Sequence, residues 1–110
     1  IPVIATCHVK KNFGDIDAII TEVTNPGRTV FDKSLFSMIE PPVEAYLDKL
    51  KDKHVDQVVL YGVEAHVCVK QTCLDLLERG YGVHLVIDAI SSMNQHDRNV
   101  GIESMKMAGA

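Results

Sequence analysis

Cys68 is the residue whose type and setting most readily suggest chemistry. It follows a strand-like run and a six-residue turn, GVEAHV at 62–67, and falls in the first turn of a helical pattern. A helix N-terminus presents unpaired amide donors and a partial positive charge, which favour thiolate over thiol. The thiolate is the working nucleophile of covalent catalysis by cysteine. Lys33, at the end of another strand-like run, would bring a full positive charge to the same corner. Position alone leaves the opposite reading standing, because cysteine is among the most buried residue types and commonly does no more than pack.

The elements that must position these residues alternate along the chain. Residues 2–9 (PVIATCHV) form a continuous apolar run rich in β-branched side chains, the pattern of a buried parallel strand. Residues 10–25 show no clean period, and Asn25-Pro26-Gly27 signals a turn. A short strand over 28–31 ends at Asp32-Lys33. Pro41-Pro42 marks a helix entry, after which Val43, Leu47 and Leu50 share one face to about residue 53. Residues 55–61 (VDQVVLY) predict a strand broken by Gly62. A helix to Arg79 follows, with Val69, Cys73, Leu76 and Leu77 at helical spacing and Gly80 as its stop. Residues 82–87 (GVHLVI) predict a further strand ending at Asp88. A polar bend at Ser91, Ser92 and Asn94 leads to a last helix over 96–108, stopped by Gly109.

Strands separated by helices in this order make βαβ units, which force a parallel sheet with helices on both faces. Ligands of such folds gather at the carboxyl ends of the strands. Those ends carry His8, Lys33, the 62–68 segment, and Asp88 with its serines. The chain has 110 residues, room for one small domain. Its formal charge of -4 provides no basic field for nucleic acid or an anionic membrane. No apolar run approaches the roughly 20 residues of a membrane helix. Three cysteines without a framework spacing suggest free thiols in a reducing, cytoplasmic compartment. An opening at Ile1, inside an apolar run, and a close just after a helix stop read as an excerpt of a larger domain.

Two blocks of sequence carry a resemblance. Gly62-Val63-Glu64-Ala65-His66-Val67-Cys68-Val69, followed by Gln71-Thr72, Asp75, Arg79-Gly80, Val83, Asp88-Ala89 and Ser91-Ser92, resembles the isochorismatase-like cysteine hydrolases. Phe31-Asp32-Lys33-Ser34-Leu35-Phe36-Ser37 is similar to the family segment that bears a catalytic lysine. The likeness spans nearly the whole chain and is nearest to the isochorismatase domain-containing proteins. It implies a three-layer α/β/α, Rossmann-like fold with a central parallel sheet, incomplete in this chain, as a partial domain over 1–110. It also implies Cys68 as nucleophile, Lys33 as its catalytic partner, and an oxyanion hole made by the backbone amides of Glu64 and Cys68. A cis Val63–Glu64 peptide is expected with it. The implied reaction is hydrolysis of a small molecule at an amide or other C–N bond, without cofactor, in a homo-oligomer. The family's catalytic aspartate ends a strand that precedes anything in these residues. The 110 residues alone are therefore expected to be inactive, with two sheet edges exposed.

Other candidates are weaker. Asp32, adjacent to Lys33, points elsewhere on its strand, and Asp15 and Asp17 lie in a loop that in relatives covers the site. His8 lacks the further ligands of a metal site, so no metal is expected; His66, His84 and His96 read as surface or structural. Glu64 and His66 could touch substrate or face solvent, and Phe36 could wall the pocket or join the core. Cys7 and Cys73 read as small core hydrophobes, and Asp88 as an acceptor of turn amides. Beside the hydrolase stands a second reading: a catalytically inactive module of the same fold that serves assembly or ligand binding.

Overall fold

The computed structural model describes residues 1–23 and 28–110, so the turn expected at Asn25-Pro26-Gly27 lies outside the described residues. The chain divides into two compact units, residues 1–35 and 36–110.

In the first unit, strand β1 (Ile4–His8) is followed by helices α1 (Lys10–Phe13) and α2 (Ala18–Val23) and by strand β2 (Thr29–Lys33). The strands pair in parallel with Ile4 opposite Thr29 and His8 opposite Lys33. The two helices give no sequence period because one turn or so of helix holds too few apolar positions to repeat. Between β1 and α1 the chain reverses at Val9, a β-branched residue at φ 44, a costly conformation for its type. Three backbone bonds hold it: Val9 N–H to the Lys33 carbonyl at 2.8 Å, and Asn12 and Phe13 N–H to the Val9 carbonyl. Cys7 is buried, as expected of a core thiol.

The second unit contains α3 (Pro41–Lys51), β3 (Gln57–Val63), a wide turn over Ala65–Val69, α4 (Lys70–Glu78), β4 (Gly82–Ser91) and α5 (Gln95–Ala108). Pro41 and Pro42 open α3, as the sequence predicts. Strands β3 and β4 are parallel, with Gln57 opposite Gly82 and Leu60 opposite Leu85. A register shift between Leu60 and Gly62 then places Val63 opposite Ser91. One face of this sheet carries Leu60, Val83 and Ile90, all buried, and α4 and α5 lie against β4. Val43, Leu47, Ala65, Val69, Cys73, Leu76 and Met105 are buried with them. The alternate β3 positions Val59, Tyr61 and Val63 are exposed.

Two boundaries differ from expectation. Gly62 does not end β3. It lies inside the strand at φ 131, a conformation open to glycine, at the irregularity where the register shifts. Strand β4 likewise does not stop at Asp88 but continues through Ser91, and Asp88 is an exposed residue within it rather than a turn residue. Pairing with β3 beyond the shift outweighs the polar, turn-like composition of that stretch.

Candidate active site

Cys68 lies in the wide turn that joins β3 to α4. The Val67 and Val69 amides both donate to the Glu64 carbonyl, at 3.2 and 3.1 Å, and the second of these spans five residues. This π-type turn replaces the first turn of the expected helix. It buries Ala65 and Val69 and leaves Cys68 half-buried. The Val63–Glu64 peptide is cis, the isomer expected there. The Cys68 carbonyl is fixed from α4: Thr72 Oγ1 donates to it at 2.7 Å and accepts the Met38 N–H at 2.9 Å. Glu64, whose amide the sequence reading puts in the oxyanion hole, immediately precedes this turn. Phe36 belongs to the same unit and is 56% exposed.

Lys33 belongs to the first unit. It ends β2 and is 5% exposed, a deep burial for an ammonium. Its Nζ donates to the Leu35 carbonyl at 2.8 Å and lies 3.2 Å from His8 Nδ1. An ammonium can only donate, so the imidazole nitrogen facing it accepts. The strand register sets this pair, because His8 and Lys33 are direct partners. That the partner of His8 is Lys33 follows from a register that the spacing of the two residues does not reveal.

Two further groups have partners that the sequence does not announce. His66 Nδ1 lies 3.1 Å from Ser92 Oγ and 3.7 Å from a Glu64 carboxylate oxygen, while its Nε2 is 3.8 Å from Asp97. Asp15 pairs with Lys10 and accepts from the Cys7 thiol at 3.4 Å. The Lys10 ammonium, then the Ile16 amide and the thiol, draw the Asp15 carboxyl down to about 2. Burial, and next the Asp15 contact, push the Cys7 thiol up, and burial alone does the same to Cys73. A raised thiol is a poor nucleophile at neutral pH, so neither Cys7 nor Cys73 suits that role. Asp32 accepts from the Lys10 amide at 2.8 Å, away from its neighbour Lys33 on the strand.

Among the described residues no helix is long and apolar enough to cross a membrane. The profile of the isochorismatase domain matches residues 1–110. Among similar proteins, isochorismatase domain-containing protein 1 of Salmo salar is 44% identical over 110 residues, covering 99% of this chain and 37% of the relative. The secreted isochorismatase effector Isc1 of Phytophthora sojae (strain P6497) is 40% identical over 112 residues, covering all of this chain and 53% of that protein. This chain thus spans about half the length, or less, of the curated relatives it matches. A solved structure described as the MAR1 ribonuclease of Caenorhabditis elegans superposes with a TM-score of 0.91 at 44% identity, covering all of this chain and 55% of that one. On these matches the chain belongs to the isochorismatase domain family and has its α/β fold of parallel strands and flanking helices.

Proposed function

We propose that the intact protein is a hydrolase that cleaves an amide or related C–N bond of a small molecule, with Cys68 as nucleophile, Lys33 as its cationic partner and an aspartate outside these 110 residues as acid and base. The observation that carries the reading is the setting of Cys68: half-buried, in the turn from the carboxyl end of a parallel strand into a helix, its own carbonyl fixed by Thr72. The aspartate takes the thiol proton as sulfur attacks the carbonyl carbon, and the backbone amides of Glu64 and Cys68 receive the oxyanion. The C–N bond then breaks as the same acid returns the proton to the leaving nitrogen. Water, deprotonated by the aspartate, hydrolyses the thioester and restores the thiol. In this reading Phe36 contributes to the substrate pocket, no cofactor takes part, and the protein works as a homo-oligomer.

The formal charge of -4 favours a small molecule over RNA, even though one structural relative is described as a ribonuclease. The test uses the full-length protein, iodoacetamide labelling resolved by peptide mass spectrometry, and product release from a panel of small amides. Rapid labelling of Cys68 at neutral pH, lost in Lys33→Ala, and amide hydrolysis abolished in Cys68→Ala are the expected results. Labelling no faster than that of an ordinary exposed thiol would instead mark a non-catalytic module. RNA cleavage that survives Cys68→Ala would overturn the small-molecule reading.

A further inference from the structure

The turn that carries Cys68 is held by two residues far along the chain. Ser92 Oγ accepts the Ala65 N–H at 3.0 Å and lies 3.1 Å from His66 Nδ1. A hydroxyl has one donor and two lone pairs, so it satisfies both neighbours at once. At the same peptide α5 comes in without a side chain. A Cβ added at Gly101 would lie 2.8 Å from both the Ala65 carbonyl carbon and the His66 nitrogen, and 2.9 Å from the Ala65 oxygen. Gly101 and Ala65 are both buried there. The start of α5 is tied to the same place: Asn94 Oδ1 accepts the Asp97 N–H at 2.8 Å, and the Asp97 carboxylate lies 3.8 Å from His66 Nε2.

This grip closes on the Ala65–His66 peptide. The Glu64 carbonyl binds the Val67 and Val69 amides, so displacement at Ala65 is passed to the segment that contains Cys68. Preorganised amide donors stabilise developing charge only while they are fixed.

We propose that Ser92 and Gly101 are positioning residues for Cys68, a hydroxyl and an absent side chain that together hold the 64–68 turn in its reactive geometry. The proposal rests on the reading of Cys68 as a nucleophile. Neither residue touches the reacting atoms; each acts through the Ala65–His66 backbone. Gly101→Ala is informative because alanine is the better helix former, so a loss in this variant does not come from a weakened α5.

The experiment measures iodoacetamide labelling of Cys68 between pH 6 and 9 in the full-length protein and in Ser92→Ala, Ser92→Thr and Gly101→Ala, with thermal unfolding followed in parallel. Loss of one hydrogen bond at the turn slows labelling about tenfold in Ser92→Ala. Ser92→Thr, which keeps the hydroxyl, restores the rate, and Gly101→Ala slows it without lowering Cys68 labelling in denaturant. Amide exchange in the unaltered protein gives a check independent of whether the variants fold: the Ala65 N–H exchanges slowly. Slow Cys68 labelling in the unaltered protein overturns both the nucleophile reading and this one. Rapid labelling there, with folded Ser92→Ala and Gly101→Ala equally rapid, overturns only the positioning role. A Thr variant as slow as the Ala variant, or an Ala65 amide that exchanges as an open loop does, also overturns it.

Discussion

Thr72 offers a direct measure of how firmly the backbone of Cys68 is held. Thr72 is 2% exposed, and one hydroxyl serves two groups: it donates to the Cys68 carbonyl and accepts the Met38 amide. Thr72→Val keeps the shape and removes both bonds. Each is worth about 0.5–1.5 kcal/mol, and leaving the Met38 amide unsatisfied adds a desolvation penalty of about 1–3 kcal/mol if the group stays away from water. Since these contributions overlap, the expected loss is about 2–4 kcal/mol. Thr72→Ser keeps the hydroxyl and removes one methyl, a loss near 0.8 kcal/mol for transfer with a small addition for the void. The difference in ranking is the test. Urea unfolding of the full-length protein, with m at about 2 kcal/mol/M, turns the valine loss into a midpoint shift of about 1–2 M and the serine loss into roughly half of that or less. A serine variant as destabilised as the valine variant would mean that the methyl, not the hydroxyl, secures this position, and the account of how Cys68 is held would fail.

Two further outcomes follow from the ionisable groups. Asp15, held near 2 by Lys10, remains charged when other carboxylates protonate, so its contribution to stability is fully present above the ordinary carboxylate value and is lost as pH falls towards about 2. Carbon-detected titration of its carboxyl checks this, and a midpoint at the ordinary value would refute the Lys10 pairing. Cys7 and Cys73, whose thiols burial pushes up, stay unmodified by iodoacetamide at pH 7 while the protein is folded. Site-resolved mass spectrometry reads this, and labelling of either at the rate of a small-molecule thiol would contradict its burial.

The alternation of strands and helices was legible because each long element carries its own period. The apolar face of α3 shows in the sequence as in the fold, and of the stripe Val69, Cys73, Leu76 and Leu77 all but the half-buried Leu77 are buried, at the head of α4 and along it. Gly80 and Gly109 end their helices at positive φ, as glycines placed there predict. What the sequence hid depends on partners distant along the chain. Asp88 to Ser91 reads as a turn until Ile90 and Ser91 are seen to pair with β3 past a register shift. Ser92 and Asn94 read together as a bend, yet one binds the Ala65 amide and the other caps α5. Gly101 sits in a helical pattern with no local reason to lack a side chain, and its reason is the backbone of Ala65. The cis Val63–Glu64 peptide came from the family likeness and not from composition.

The π-type turn bears on how this region tolerates changes of length. A helix that spans five residues between its bonded groups holds one more residue in that turn than an α-helix does. Each residue of regular helix advances the side-chain direction by about 100°. Removal of a single residue from 65–67 would let the Glu64 carbonyl and Val69 amide close an ordinary α turn, with each remaining residue of the turn set about 100° from the next instead of the smaller angle of the wider turn. Val69, Thr72, Cys73 and Leu76 would keep their inward stripe, and the sulfur of Cys68 would be turned to a new bearing. The surplus residue is therefore a geometric spacer, and its loss would shift the thiol while the stripe along α4 kept its place.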